Sequence, residues 1–87
     1  MTEIRLPTTL TPLFAGLPRR VDVEAATVAE ALDLLEAQWP GLRDRLVAEG
    51  PELRPHIHVY VDRERGGLDT PLEPRSRLDV IAAISGG

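Results

Sequence analysis

The pair Gly86-Gly87 is the feature of this sequence best suited to chemistry. Residues without a Cβ atom form a thin segment that adopts backbone angles closed to other residues. With the small Ser85 before it, such a tail can thread a narrow channel and present the Gly87 carboxylate inside another protein's active site. A carboxylate is a poor electrophile, but an ATP-dependent enzyme can convert it to an acyl-adenylate. Sulfide attack on that anhydride would give a thiocarboxylate, and amine attack would give an amide.

His56 and His58 suggest a second chemistry, metal binding. Two imidazoles at i and i+2 share one face of a strand, and zinc accepts imidazole nitrogen. A site needs further ligands, yet the chain has no cysteine, and Asp62 and Glu64 lie past the strand. We therefore favour an exposed strand face here and predict no metal site.

Composition excludes several classes of protein. The chain has 87 residues, no cysteine and no lysine, and all ten basic residues are arginine. Disulfide scaffolds, thiolate metal sites and cysteine catalysis are thereby excluded, as are lysine-linked polymers. The net charge of -4 argues against nucleic-acid and anionic-lipid partners, which favour a basic face. Apolar runs are too short for a membrane span, and we expect a cytoplasmic location.

The small size also argues against an enzyme. A pocket that excludes water is difficult to build in one small domain with so few reactive side chains. We expect residues 1–87 to form a single domain with a flexible tail at 85–87, acting as a carrier or binding module that is monomeric when free.

Two short strands are predicted near the N-terminus. Ile4–Leu6 alternates in polarity and ends at a proline, and Arg20–Glu24 alternates with Val21 and Val23 inward. The connection between them is irregular and offers apolar anchors, namely Leu10, Leu13 and Phe14.

The helix that follows is the clearest element. Thr27 and Glu30 have the spacing of a capping box, in which each side chain bonds the other residue's backbone N–H. An apolar stripe at helical spacing then runs to Trp39, and Pro40-Gly41 ends the helix. Leu42–Ala48 is predicted to form a short second helix or a turn.

The C-terminal half is predicted to be mostly sheet. His56–Val61 alternates, with His56, His58 and Tyr60 on one face. Residues 62–67 indicate a turn, 68–72 an edge strand or a tight turn, and Leu78–Ile84 the last strand. One amphipathic helix must cover one sheet. We therefore predict an α+β, β-grasp (ubiquitin-like) fold, with a mixed sheet of four or five strands and the first and last strands side by side.

Three segments carry a resemblance to a known family: Ile4–Leu10 (IRLPTTL), Leu53–Asp62 (LRPHIHVYVD) and Val80–Gly87 (VIAAISGG). With them the chain resembles the MoaD/ThiS-type sulfur carriers, ubiquitin-like proteins with a C-terminal Gly-Gly. The first two segments look most like the carriers that serve cysteine or secondary-metabolite biosynthesis. The chain departs from the family's pattern at Ala82, where proline is frequent, and at the turn over 75–77.

The resemblance implies a mechanism and partners. An E1-like enzyme, using ATP and Mg²⁺, would adenylate Gly87 and convert it to a thiocarboxylate, and an acceptor enzyme would take the sulfur. Ubiquitin-like carriers usually present the sheet face opposite the helix to the activating enzyme. We therefore take as a candidate docking face His58, Tyr60, Arg75 and Arg77. Three alternatives stay open: a protein modifier conjugated through Gly87, a β-grasp interaction module whose tail is inert, and the small subunit of molybdopterin synthase.

Overall fold

Seven strands and two helices make up the computed structural model, which describes residues 1–82. In chain order they are β1 (Thr2–Arg5), β2 (Arg20–Val23), α1 (Val28–Gln38), α2 (Leu42–Leu46), β3 (Val47–Ala48), β4 (Glu52–Leu53), β5 (Ile57–Val61), β6 (Glu64–Gly66) and β7 (Arg77–Ala82), with a short 3₁₀ helix at Thr11–Leu13 between β1 and β2.

The main sheet is mixed and has the strand order β2-β1-β7-β5-β6. β7 pairs in parallel with β1 and antiparallel with β5, while β1 and β2 form an antiparallel pair. The first and last strands are thus neighbours at the centre of the sheet. Together with the single main helix, this confirms the predicted α+β, β-grasp arrangement.

α1 begins and ends where the local signals predict. The Thr27 hydroxyl oxygen accepts a hydrogen bond from the Glu30 backbone N–H at 3.2 Å, whereas no return bond from the Glu30 side chain forms within residues 1–82. After the helix, Gly41 has φ +96°, a left-handed conformation that glycine adopts without strain. Within the described residues, neither helix is long and apolar enough to cross a membrane.

The core lies between α1 and one face of the sheet. Strand alternation turns Ile4, Val59 and Leu78 to that face, and each is fully buried. The apolar stripe of α1, which includes Val28 and Leu35, packs into the same cluster. The other face of the sheet is left open to solvent, and it is the face on which docking was predicted.

Segment 62–67 departs from the sequence-based prediction of a turn. Only Asp62 and Arg63 form the turn, with φ of 50° and 73°, and Glu64–Gly66 pairs with β5 as an edge strand. Of the two alternatives for 68–72, the tight turn is the correct one. The Thr70 N–H donates to the Gly67 carbonyl at 3.2 Å, and beyond it Pro71 forms only an isolated bridge with Thr27, with no strand. An edge strand with two charged residues and a glycine has no apolar alternation to reveal it.

Two further details differ from expectation. Leu42–Ala48 divides into α2 and the first strand of a small hairpin, in which Val47 pairs with Leu53. Of the three predicted anchors before β2, Leu10 is buried and Phe14 packs against the core, but Leu13 is 54% exposed. Leu13 therefore lies on the surface beside the core.

Candidate docking face

The tail residues singled out in the sequence, Ser85, Gly86 and Gly87, lie outside the described part of the chain. The described chain stops at Ala82, in the middle strand of the sheet. The structure therefore presents the strand that leads to these residues and the surfaces on either side of it.

An isolated apolar side chain occupies the open face of β7. Alternation turns Arg77, Asp79 and Ile81 outward, and Ile81 is 45% exposed. On the neighbouring strand β5, His58 lies opposite Ile81 and Tyr60 lies opposite Asp79. The structure thus brings three of the four predicted docking residues, His58, Tyr60 and Arg77, to one face around Ile81.

A shallow depression of about 410 Å³ lies across this face. It contains three arginines and one aspartate, a local charge of +2, whereas the whole chain carries -4. The lining residues are Arg5, Leu6, Tyr60, Arg63, Arg77, Asp79, Val80 and Ile81. Its chemistry is that of a basic rim around apolar and aromatic surface, which suits an acidic protein partner with an apolar contact at its centre.

Hydrogen bonds hold several polar side chains of this face in place. Arg77 Nε donates to Asp79 Oδ2 at 3.0 Å, and Arg65 Nη2 donates to His58 Nδ1 at 2.9 Å. Arg5 Nε donates to Glu3 Oε2 at 2.6 Å. Orienting the guanidinium groups before binding reduces the entropy lost when a partner docks.

The Glu3 carboxylate stays ionised within this array. The hydrogen bond from Arg5 lowers the pKa of Glu3, partial burial opposes that effect, and the positive charges of Arg20 and Arg77 lower the pKa further. The ionised carboxylate offsets part of the arginine charge along β1. The net positive charge is therefore concentrated on the side of the face near Arg63 and Arg77.

Arg75 lies apart from the other predicted docking residues. It is exposed in the turn before β7, which is closed by the Ser76 N–H on the Glu73 carbonyl at 3.0 Å. β7 then runs about 16 Å from Arg77 to Ala82, at roughly 3.3 Å per residue. Arg75 and Arg77 are close to the tail in sequence, but they lie at the opposite end of the strand from Ala82.

His56 and His58 do not share a face. β5 starts at Ile57, so His56 precedes the strand and lines a different groove, beside Ala82. His58 is on the open face and contacts Arg65. Across residues 1–82, no group of three or more histidines and carboxylates is placed to hold a metal ion.

Several residues of the face were not identified from the sequence, among them Ile81, Arg63 and Arg65. Leu78 and Val80 are apolar and two residues apart, so they point to the same, inward face of the strand. Ile81 follows Val80 directly and therefore points outward, which the sequence alone could have shown. Arg63 and Arg65 could be placed only once the hairpin of β5 and β6 was known.

Known proteins are similar to this chain over most of its length. The model of the ThiS family matches residues 6–87. Small archaeal modifier protein 3 of Haloferax volcanii is 35% identical over 72 residues, which cover 78% of this chain and 76% of that protein.

Solved structures agree with this assignment. A chain in the crystal structure of the Amycolatopsis orientalis BexX/CysO complex is 32% identical, with a TM-score of 0.88 and full coverage of both chains. Mycobacterium tuberculosis CysO is 25% identical, with a TM-score of 0.84 over 97% of this chain and 100% of its own. This chain therefore belongs to the ThiS family, whose members are ubiquitin-like β-grasp carriers and modifiers.

Proposed function

We propose that this protein is a sulfur carrier that works through its Gly87 carboxylate. An E1-like enzyme joins the carboxylate to the α-phosphate of ATP, which forms an acyl-adenylate and releases pyrophosphate. Sulfide then attacks the carbonyl carbon and AMP leaves, so that one carboxylate oxygen is replaced by sulfur. The thiocarboxylate carries this sulfur to an acceptor enzyme.

The observation that carries the proposal is the extent of the family match. It runs to residue 87 and so includes Gly86 and Gly87 as well as the folded domain. In the fold, the last described strand, β7, is the central strand of the sheet. Both observations fit a domain that serves to carry a reactive carboxylate.

The open face supplies a surface for the activating enzyme. Ile81 and Tyr60 give apolar contact area, and the arginines around them match an acidic partner. A related chain has been crystallised in a complex with BexX, so complex formation has a precedent at 32% identity. In this proposal His58, Tyr60 and Arg77 contact the enzyme, and Arg75 stands outside the contact.

In this proposal the protein is a substrate of enzymes and not a catalyst. ATP and Mg²⁺ are bound by the activating enzyme, and the modification that this chain carries is the thiocarboxylate itself. Because the chain contains no cysteine, the activated carbonyl cannot be intercepted by an internal thiol. With no lysine, it has no side-chain amine that could form an internal amide.

Intact-mass measurement tests the proposal. The protein is incubated with ATP, Mg²⁺, sulfide and an E1-like activating enzyme from the same genome. We expect a gain of about 16 Da, the difference between sulfur and oxygen, in a covalent terminal modification. The gain should require ATP, and its site should map to Gly87 by fragmentation.

Deleting Gly87 is the matched control, because it moves the carboxylate by one residue and leaves residues 1–82 unchanged. The mass gain should then disappear. No gain in the full chain with any such activating enzyme, or an equal gain after the deletion, would overturn the proposal.

A protein modifier is the second candidate, favoured by the 35% identity to small archaeal modifier protein 3. In that case an amine of a target protein, and not sulfide, would attack the adenylate and form an amide. Higher-mass adducts in cells, present with the full chain and absent after deletion of Gly87, would favour this function.

A further inference from the structure

One edge of the main sheet is formed by β2, which pairs with β1 alone in the described part of the chain. The Leu6 N–H donates to the Arg19 carbonyl at 2.7 Å, so the backbone groups of Arg19 point toward β1. These groups alternate in direction along an antiparallel strand, and those of Arg20 and Asp22 therefore point outward. A row of outward-pointing backbone groups can pair with a further strand.

Like charges face each other where β2 meets β1. Glu3 lies directly opposite Asp22, and in the next such position Arg5 lies opposite Arg20. Like charges at directly opposite positions destabilise a pair of strands. The Glu3 carboxylate is compensated by Arg5 at 2.6 Å and by Arg20 at 3.4 Å. Asp22 is exposed and forms no salt bridge with any residue of 1–82, so this edge carries a carboxylate without a cationic partner.

We propose that β2 pairs antiparallel with β2 of a second copy of this chain, about a two-fold axis that passes beside Val21. Arg20 of each copy then lies opposite Asp22 of the other copy, and the two residues exchange backbone hydrogen bonds. The guanidinium group supplies the cation that Asp22 lacks. The two five-stranded sheets become one continuous sheet, with both open faces on the same side.

Charge selects this register among those that the backbone allows. Outward-pointing groups must meet outward-pointing groups, so the second strand can shift only in steps of two residues. A shift in one direction places Asp22 opposite Asp22 of the other copy, and a shift in the other direction places Arg20 opposite Arg20. Both arrangements oppose like charges. Only the register centred on Val21 pairs opposite charges at both positions.

The size of this edge supports a transient dimer. A strand of four residues buries less than the roughly 1,200 Å² at the lower limit of stable interfaces. We therefore expect the dimer at protein concentrations on the order of 1 mM and not at micromolar ones. The expectation of a free monomer came from the sequence alone, which does not show that β2 lies at the edge of the sheet.

NMR of ¹⁵N-labelled protein over a series of concentrations tests the proposal. We expect the amide signals of Arg20 and Asp22 to shift with concentration, because both N–H groups pass from solvent to the second strand. Their hydrogen exchange should slow by roughly twofold or more at the highest concentrations. The mass measured by sedimentation should rise from that of one chain toward that of two.

Charge reversal tests the register. Arg20→Asp and Asp22→Arg each turn both contacts between the copies into like-charge pairs, so each variant alone should dimerise roughly tenfold more weakly. An equimolar mixture of the two variants has opposite charges at both positions. It should associate roughly tenfold more tightly than either variant alone. The double variant, with the two charges exchanged, should dimerise like the wild type.

Thermal stability separates weaker dimerisation from misfolding. Arg20→Asp places a carboxylate opposite Arg5, which removes a like-charge pair within the chain. Asp22→Arg does the same by placing a guanidinium opposite Glu3. Tm should therefore stay equal or rise in both variants while dimerisation weakens.

Glu64→Arg is the matched control, because it changes the net charge as Asp22→Arg does but lies in β6, at the other edge of the sheet. It should leave the concentration dependence of the Arg20 and Asp22 signals unchanged.

Three results would overturn the proposal: no concentration-dependent shift at Arg20 and Asp22, shifts confined to another surface, or a mixture of the two variants that associates no better than its components. None of these measurements involves Gly87 or an activating enzyme. A protein that gains sulfur but shows no pairing through β2 would therefore refute the dimer and leave the sulfur carrier function intact.

Discussion

At the scale of single residues, Glu36 joins the two helices. Its carboxylate accepts the backbone N–H of Gly41 at 2.9 Å and that of Arg43 at 2.9 Å. These N–H groups lie at the start of α2, where the helix supplies no internal acceptor for them. One side chain of α1 therefore accepts hydrogen bonds from the backbone N–H groups at the start of the next helix.

These bonds make the contribution of Glu36 depend on pH. The hydrogen bond from Gly41, then that from Arg43, lowers the pKa of Glu36 below its ordinary value of 4.5. A carboxyl whose pKa is lower in the folded state stabilises the fold fully above its unfolded pKa. That contribution is lost as the pH falls through the lower, folded pKa.

We expect Glu36→Gln to lower Tm clearly at pH 7. The difference should shrink as the pH falls below 4.5 and through the lower pKa of the folded state, where the wild-type carboxyl becomes protonated. Thermal unfolding followed by circular dichroism across this range measures the difference. Glu49→Gln is the control, since Glu49 is an exposed glutamate in the nearby hairpin and makes no side-chain hydrogen bond within residues 1–82. A Tm difference for Glu36→Gln that stays constant with pH would contradict this assignment.

At the scale of elements, the β5–β6 hairpin depends on a close contact at Gly66. A Cβ atom at Gly66 would lie 2.7 Å from Thr70 Oγ1, whereas one at Gly67 would meet nothing within 4 Å. The same Thr70 oxygen accepts the Gly67 N–H at 2.8 Å, which closes the turn after β6. A side chain at Gly66 would therefore displace the group that holds the turn.

The pair Gly66→Ala and Gly67→Ala separates this contact from a general effect of replacing glycine. We expect Gly66→Ala to destabilise the fold by about 1–3 kcal/mol, the usual cost of overpacking together with a lost hydrogen bond. We expect Gly67→Ala to change stability by less than about 1 kcal/mol. Urea denaturation gives both values, and equal effects of the two substitutions would contradict the contact.

The elements that the sequence predicted well are those with local signals. α1 has its cap at Thr27 and ends at Gln38, shortly before Pro40-Gly41, and β5 alternates over its whole length. β6 escaped prediction because an edge strand has one neighbour and buries little, so its sequence is not constrained to be apolar. The docking face was predicted only in part for the same reason. His58 and Tyr60 belong to β5, which the sequence shows clearly. The position of Arg63 is set by the turn between β5 and β6, which could not be placed until β6 was known.

At the scale of the whole molecule, charge is distributed unevenly. The chain is acidic overall, but the depression on the open face has a local charge of +2. An uneven charge of this kind orients a small protein as it approaches a partner and raises the rate of association at low salt. The face that carries Ile81 would thus be turned toward an acidic enzyme before contact.

Reversing the charge of one rim residue tests this orientation. We expect Arg63→Glu to slow association with the activating enzyme by roughly two- to tenfold at low salt, and the difference to shrink at high salt. Stopped-flow or surface-plasmon measurements of the association rate give this comparison. Arg19→Glu changes the net charge equally at a residue that does not line the depression, and an equal slowing by both variants would show that only net charge matters.

The central place of β7 has a mechanical consequence. β7 pairs with β1 at three positions and with β5 at five, so hydrogen bonds hold the strand along both edges. A pull on the tail, directed along the strand, loads these hydrogen bonds together in shear and does not peel them apart one by one. In the proposed function, an enzyme that draws the terminus into a channel would pull along this strand, and the folded domain would act as a stop that keeps residues 1–82 outside.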